Sequence, residues 1–265
     1  MALGLTRAVW NYRGFVVGSV KREFQTRYRN SLLGGAWMVL NPLAMIIVYT
    51  VIFSQLMKAR LPGVDNGLAY GIYLCAGVLT WGFFSEILGR SQSVFLENAN
   101  LIKKLSFPRI CLPLIVVLNA GVNFAIIFAL FLGFLAVTGN LPGWTLLGVV
   151  PVLAVQVLFS IGLGIILGVL NVFFRDVGQF VGIFLQFWFW FTPIVYPVSI
   201  LPDAVRPLVA WNPMTVLIGA YQTIFVYDRW PDWSSLWPVA LAACVLCVLG
   251  MRLFRKRAGE MVDEL

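Results

Sequence analysis

Six long apolar stretches constrain the fold of this chain more than any other feature of its 265 residues. Each stretch is near or above the roughly 20 residues that an α-helix needs to cross about 30 Å of hydrocarbon. Because lipid offers backbone polar groups no hydrogen-bond partner, each stretch must be helical. The sequence therefore predicts an all-α membrane protein. The six predicted spans lie near residues 33–57, 70–90, 111–138, 145–170, 178–198 and 234–254.

The composition supports a chain that lipid covers. Hydrophobic residues make up 60% of it and charged residues only 11%, whereas a soluble domain carries roughly 25% charged residues. With the N-terminus inside, cytoplasmic segments hold fifteen of the nineteen Lys and Arg residues, which is the charge bias expected of cytoplasmic loops. We therefore expect a multi-pass protein of the bacterial inner membrane, forming a single domain over 1–265, with both termini in the cytoplasm.

The basic N-terminal segment, residues 1–30, is not apolar enough to be a span. Plotted as a helix, Val16 and Val20 fall on one side and Arg22 falls on the other, although Phe15 violates the pattern. This arrangement favours an amphipathic helix that lies along the cytoplasmic surface. The alternative is a basic, partly disordered tail.

Two connections are longer than the topology requires, and long connections often carry function. One is the cytoplasmic segment 91–110. The other is the external segment 199–233, which contains four prolines although residues 209–226 are largely apolar. We expect this external segment to enter the membrane and return, which is tolerated only inside protein or beside a water-filled cavity. The alternative is an apolar helix that lies flat on the outer face.

The residues that support catalysis are scarce in this sequence. It has no His and no Gly-rich phosphate loop ending in Lys, so it predicts no nucleotide site, no metal site and no cofactor. Cys244 and Cys247 lie inside an apolar stretch, which favours buried small residues over a metal site. Glu86 is the ionisable residue within the spans, and its spacing to Arg90 favours a local ion pair over a proton relay.

Aromatic residues form two clusters, in the second and the fifth predicted spans. Aromatic faces bind sugar rings, but they also suit helix cores and interfacial belts, so the sequence leaves these alternatives open. Gly164 and Gly168 form a small-x-x-x-small spacing that permits close helix packing. The candidate channel aromatics are Trp81, Phe83, Phe84, Phe187, Trp188, Trp190 and Tyr196.

Four segments carry a more specific signal. They are RYRNSLLGGAW at 27–37 with NP at 41–42, ENANLIKKLSFPR at 97–109, NVFFRD at 171–176 and WNPMT at 211–215. In place and order these segments resemble the permeases of type-2 ATP-binding-cassette (ABC) transporters that export polysaccharides. The resemblance covers nearly the whole chain. It is strongest with the permeases for O-antigen, and capsule and teichoic acid exporters are the close alternatives.

This resemblance implies a homodimeric permease that binds two copies of a separate ABC ATPase. The implied substrate is a glycan on undecaprenyl diphosphate, and residues 199–233 would form re-entrant periplasmic gate helices. Arg27 and Arg29 are expected to meet the diphosphate. The implied cytoplasmic mouth comprises Arg27, Arg29, Ser31, Leu33 and Gly34. The implied coupling helix, which docks in a groove of the ATPase, comprises Glu97, Asn98, Leu101, Ile102, Lys103 and Lys104.

Two other classes of function stay open from the residues alone. One is an autonomous channel or a secondary transporter. The other is a membrane-embedded glycosyl- or polyprenyl-transferase, against which the lack of His and of paired carboxylates counts. Nothing in the sequence indicates nucleic acid as a partner.

Overall fold

The computed structural model describes residues 12–28, 34–56, 61, 64, 66–104 and 108–265, with the backbone alone at 27, 28, 54–56 and 104. Every regular element within these residues is helical, which confirms the all-α prediction. Short 3-10 turns precede α2 and α6, and a π-helical turn follows α2. The helices are α1 (Arg13–Tyr28), α2 (Trp37–Tyr49), α3 (Ala69–Glu97), α4 (Ala99–Lys104), α5 (Cys111–Val137), α6 (Val149–Phe173), α7 (Asp176–Phe191), α8 (Arg206–Ala210), α9 (Pro213–Tyr227), α10 (Trp233–Arg257) and α11 (Glu260–Glu264).

Five helical segments of the described chain are long and apolar enough to cross a membrane. They coincide with five of the six predicted spans, so the prediction of a multi-pass membrane protein is confirmed. The second of these helices is longer than expected, because buried side chains such as Val94 and Phe95 continue its packed face beyond residue 90. The five segments are Gly34–Phe53, Ala69–Glu97, Cys111–Val137, Trp144–Phe173 and Trp233–Arg257.

At the sixth predicted span, 178–198, the observed helix is shorter than the apolar stretch of the sequence. Helix α7 has 16 residues, which rise about 24 Å. It ends where Thr192 adopts an extended conformation, because the ring of Pro193 disfavours helical geometry in the residue before it. Pro193 therefore marks the edge of this helix. Residues 192–197 are therefore not helical.

The centre of the bundle is α6, which packs against α3 and α10. The backbones approach closely where α6 carries glycine. A Cβ atom added at Gly164 would lie 2.7 Å from the Cβ of Ser91, and one added at Gly168 would lie 2.5 Å from the Ser91 carbonyl oxygen. Neither contact is sterically acceptable, so the small-x-x-x-small spacing does provide close helix packing, here between α6 and α3.

The two ends of the bundle differ in the elements that they hold. At one end, which we call the basic end, Val16 of α1 packs on Cys111 and Ile115 of α5, and Met261 of α11 lies in a buried cluster with Ile102 of α4. Within the predicted N-terminal segment, residues 13–28 form a helix. Its amphipathic character and its position along the membrane surface stay predictions, and residues 1–11 lie outside the described part. We call the other end, where α3 begins and α9 ends, the opposite end.

Candidate functional site

The predicted coupling helix corresponds to α4 at the basic end. Asn98 directly follows α3, and its backbone carbonyl accepts hydrogen bonds from the amides of Leu101 (3.0 Å) and Ile102 (2.9 Å). The Ile102 side chain is buried in a cluster that also contains Phe254 and Met261. These contacts attach α4 firmly to the bundle, so a displacement of α4 would move α3 with it.

The outer surface of this region is polar. Glu97 and Lys103 are exposed, and Leu101 lies half-buried between them. The Glu97 carboxylate accepts a hydrogen bond from the Ser93 hydroxyl at 2.7 Å. The side chain of Lys104 lies outside the described part. Of the six predicted coupling residues, Glu97, Lys103 and Leu101 therefore offer a surface to a partner, whereas Ile102 and Asn98 hold α4 in place.

Of the five residues of the predicted cytoplasmic mouth, the structure describes Gly34 in full and Arg27 by its backbone alone. Gly34 has a φ of 47°, in the left-handed region that other L-residues enter only with strain. A tight turn at this point, before α2, therefore requires glycine. The side chain of Arg27, and all of Arg29, Ser31 and Leu33, lie outside the described residues, so their role stays a prediction.

A polar cluster joins α1, α3 and α5 near the basic end. One oxygen of the Glu23 carboxylate accepts a hydrogen bond from the Arg90 guanidinium and the other accepts one from the Asn119 side-chain amide. Arg90 also lies 3.7 Å from Glu86, which confirms the local ion pair predicted from their spacing. Glu86 in turn accepts a hydrogen bond from Asn123 at 2.8 Å. We call Glu23, Arg90, Asn119, Glu86 and Asn123 the carboxylate cluster.

Sequence reasoning missed Glu23 because Arg90 lies 67 positions further along the chain. One signal was present, however. Glu23 is the single acidic residue before Asp65, in a segment that is otherwise strongly basic. A second signal is that Asn119 and Asn123 recur one helical turn apart within an apolar span, where polar side chains normally need partners.

Three of the candidate channel aromatics are buried in the core of the bundle. Trp81 and Phe84 are 7% and 0% exposed, and each packs edge-on against the Trp188 ring, at centroid distances of 6.0 and 5.2 Å. Phe83 is 4% exposed and stacks on Phe124 at 4.5 Å. These rings form core packing, one of the alternatives that the sequence left open, and a role in lining a channel stays a prediction for them.

Other candidate aromatics lie on the surface of α7. Phe187 is 62% exposed and Trp190 is 59% exposed. Tyr196 is half-buried beyond the end of α7, and its hydroxyl donates a hydrogen bond to the Trp190 carbonyl at 2.7 Å. Within α7, Val181 alone is fully buried. The helix therefore presents a broad apolar face, rich in aromatic rings, to whatever surrounds this chain.

Tyrosines of α3 hold the extended segment after α7. The Tyr70 hydroxyl donates to the carbonyl of Val195 at 2.6 Å. The Tyr73 hydroxyl lies 3.1 Å from the Pro193 carbonyl and 2.9 Å from the Tyr196 carbonyl. Backbone carbonyls that no helix satisfies thus find partners on the wall of the bundle, which is the condition for irregular backbone at membrane depth.

Helix α9 penetrates the bundle instead of lying on it. The Tyr221 hydroxyl donates to the Gln156 side-chain oxygen at 2.8 Å, and the Gln156 amide donates to the Thr80 carbonyl at 2.8 Å. Thr80 is eleven residues into α3, which corresponds to about 16 Å of rise. This depth favours the re-entrant segment over the alternative of a flat surface helix.

The turn into α9 is anchored by Asn212. Its side-chain oxygen accepts hydrogen bonds from the Trp188 indole at 2.9 Å and from the Met214 backbone amide at 3.0 Å. Its side-chain amide donates to the Thr192 hydroxyl at 2.9 Å. One residue therefore caps α9 and also joins it to the end of α7, so these two elements are expected to move together.

Within the described part of the chain, no group of three potential metal ligands lies together. The four cysteines are free, and Cys75 and Cys111 are buried. The described residues thus form an exposed polar surface around α4, an aromatic face on α7 and the carboxylate cluster.

Comparison with known proteins identifies relatives along the whole chain. A family model described as "ABC-2 type transporter" matches residues 16–226. The "O-antigen export system permease protein RfbA" of Myxococcus xanthus is 33% identical over 98% of this chain and 99% of its own length. A protein of the same name from Klebsiella pneumoniae is 29% identical over 89% and 88%. The "Polysialic acid transport protein KpsM" of Escherichia coli is 22% identical over 92% and 93%.

Proposed function

The chain belongs to the ABC-2 type transporter family, and from this premise we propose that it is the permease subunit of an exporter for O-antigen polysaccharide carried on undecaprenyl diphosphate. The observation that carries the proposal is the end-to-end similarity to a permease whose name assigns it to O-antigen export. The relative named for polysialic acid transport is less similar, so capsule export is the second candidate.

The permease is not itself a catalyst in this proposal. Its sequence has no phosphate-binding loop, and an ABC transporter draws its energy from ATP hydrolysed by another subunit. We propose that the permease is a homodimer and that two copies of the ATPase bind it. Each ATPase then drives one permease chain.

The basic end faces the cytoplasm in this proposal, in the bacterial inner membrane. The charge bias supports this orientation, because Lys and Arg accumulate in cytoplasmic segments of membrane proteins. The last turn of α10 adds Arg255, Lys256 and Arg257 at this end. The ATPase, which needs cytoplasmic ATP, would therefore meet α4 directly.

The surface formed by Glu97, Leu101 and Lys103 is the proposed contact with the ATPase. Two opposite charges flank a half-buried leucine, a composition suited to an interface that must form reversibly. Ile102 lies behind this surface in the bundle core. A push on α4 is therefore transmitted to α3 and α10, which share that buried cluster.

The proposed path for the glycan runs along the aromatic face of α7. Phe187 and Trp190 are exposed there, and such rings bind the C–H faces of sugars without requiring one sugar sequence. Trp188 and the buried rings behind it would position this face. Arg27 and Arg29, near the proposed mouth at Gly34, would meet the diphosphate by charge attraction.

The proposed gate consists of residues 199–233 together with the extended segment that precedes them. The depth of α9 and its bonds to Gln156 support this role. Asn212 links α9 to the end of α7, so movement of the aromatic face and movement of the gate would be coupled. Opening would have to exchange buried hydrogen bonds, which makes spontaneous leakage unfavourable.

Deletion of the gene and complementation test the proposed function. The deletion strain is expected to lack O-antigen at the cell surface and to accumulate lipid-linked polysaccharide inside, and the wild-type gene should reverse both. Loss of capsule with normal O-antigen would instead favour the second candidate. Unchanged levels of both polysaccharides would contradict polysaccharide export altogether.

A charge reversal tests the ATPase contact. Lys103→Glu is expected to lower co-purification of the ATPase subunit and to lower export with it. Lys256→Glu is the matched control, because Lys256 is also an exposed lysine at the basic end but lies outside the proposed contact. Equal co-purification of the ATPase with both variants would contradict the assigned surface.

A further inference from the structure

The carboxylate cluster is a charged group of side chains at the basic end that the proposed function does not use. Its centre is Glu23 of α1, whose two oxygens are bonded to two different helices, to Arg90 of α3 and to Asn119 of α5. Asn119 is 2% exposed, so this contact reaches into the protein. A single carboxylate thus fixes the position of α1 against both neighbours.

The position of this contact along α1 and α3 determines which other elements it connects. Arg90 lies seven residues before Glu97, the last residue of α3, which is about 10 Å of rise, and α4 follows directly. Glu23 lies five residues before Tyr28, the last residue of α1, and the proposed mouth begins at Arg27 in the same last turn. The Glu23–Arg90 pair therefore connects the proposed ATPase contact with the proposed entrance.

The fully buried apolar contact of α1 among the described residues is made at Val16, near the start of the helix, with Cys111 and Ile115 of α5. A cavity of about 470 Å³ lies between α1, the last turns of α3, α4 and α5, and both Glu23 and Arg90 line it. Because space separates the helices there, a polar bridge at the edge of that space governs how α1 follows α3.

The remaining members of the cluster, Glu86 and Asn123, add a second carboxylate close to Arg90. Glu86 lies 3.7 Å from Arg90 and accepts a hydrogen bond from Asn123. Arg90 therefore stands between two carboxylates. If the pair with Glu23 separates, Arg90 still has Glu86 as a partner, so the bridge can open without leaving an unpaired cation.

We propose that Glu23 and Arg90 are positioning residues that couple α1 at the cytoplasmic entrance to the movement of α3 and α4 driven by the ATPase. This inference rests on the proposed function, since it assumes that ATP hydrolysis is transmitted through α4. Displacement of α3 pulls α1 through the ion pair and shifts the end of α1 at Tyr28. Loss of the pair lets α3 move while α1 stays, so ATP is hydrolysed without export.

Charge exchange tests this coupling in cells and in the purified complex with the ATPase. Glu23→Arg and Arg90→Glu are each expected to lower polysaccharide export per ATP hydrolysed about tenfold, within the range found for coupling between sites. The double variant restores the opposite charges and is expected to recover at least half of the wild-type ratio. The conservative variant Glu23→Gln, which removes the charge of Glu23 alone, is also expected to lower this ratio. Its control is Glu260→Gln, because Glu260 pairs with Arg257 only three residues away at the same end.

The outcomes separate a coupling role from a structural one. Single variants that export as much per ATP as the wild type would overturn the inference. So would reduced amounts of complex with an unchanged ratio, or a double variant as impaired as the worse single one. The wild-type chain is measured in parallel, and its failure to export polysaccharide would count against the proposed function instead.

Discussion

The contact of α1 at the basic end and the buried contact of α9 toward the opposite end are polar contacts of different kinds. At the basic end, α1 and α3 are joined by an ion pair whose side chains are 41% and 32% exposed, at Glu23 and Arg90. Toward the opposite end, α9 is joined to the bundle by neutral groups, and Gln156 and Tyr221 are both 0% exposed. An exposed pair separates at little cost, whereas a buried group that loses its partner stays desolvated. Movement therefore enters more easily at the basic end.

A substitution in the apolar core between the two ends is expected to have the largest effect on the free energy of unfolding. Phe84→Ala removes a fully buried ring and is expected to lower the free energy of unfolding by about 4 kcal/mol. Phe187→Ala removes an exposed ring and is expected to change it by less than about 0.5 kcal/mol. Thermal unfolding of the purified proteins in detergent measures both. Equal losses would show that α7 is packed more tightly than its exposure indicates.

The buried contact of α9 gives the next largest effect. Gln156→Leu leaves the Tyr221 hydroxyl and the Thr80 carbonyl without this partner, which is expected to cost about 2 kcal/mol. Tyr221→Phe leaves the Gln156 oxygen unpaired instead. Because the double variant removes both groups, its loss is expected to be smaller than the sum of the two single losses. Simple additivity in thermal unfolding would contradict the bond between them.

The turn at the proposed mouth gives a smaller effect. Gly34→Ala introduces a Cβ at a φ of 47° and is expected to cost about 1 kcal/mol through backbone strain. Gly35→Ala is the adjacent control, because a Cβ there meets nothing within 4 Å. The control is expected to show no loss of stability. Equal behaviour of the two variants in thermal unfolding would remove the requirement for glycine at this turn.

The ion pair at the basic end is expected to contribute least to stability. Glu23→Gln should lower the free energy of unfolding by less than about 1 kcal/mol, because solvent screens a partly exposed pair. This small loss of stability contrasts with the loss of about tenfold in export per ATP hydrolysed that is expected for Glu23→Arg. A loss as large as that of Gln156→Leu in the same unfolding assay would mean that the two ends do not differ as described.

Local sequence rules predicted the features that depend on neighbouring residues. Five of the spans follow from length and hydropathy, and the Glu86–Arg90 contact follows from helical spacing. Close packing at Gly164 and Gly168 was predictable as well. What the sequence did not specify was their partner, since any helix can approach a small-residue face.

Features that depend on distant residues could not be predicted in this way. Trp81 and Trp190 occur in similarly apolar stretches, and a helix in lipid is apolar on every side, so periodicity does not reveal which ring is buried. The bridge from Glu23 to Arg90 depends on how α1 lies against α3, which no local pattern encodes. The depth of α9 likewise became clear only from the bond between Tyr221 and Gln156.

Reconstitution into liposomes tests the central claim most directly, namely that this permease works only with a separate ATPase bound at its basic end. Translocation of undecaprenyl-diphosphate-linked polysaccharide is measured for the chain alone, for the chain with its ATPase subunit, and for that complex without ATP. We expect translocation only when both subunits and ATP are present. Translocation by the chain alone would contradict the account.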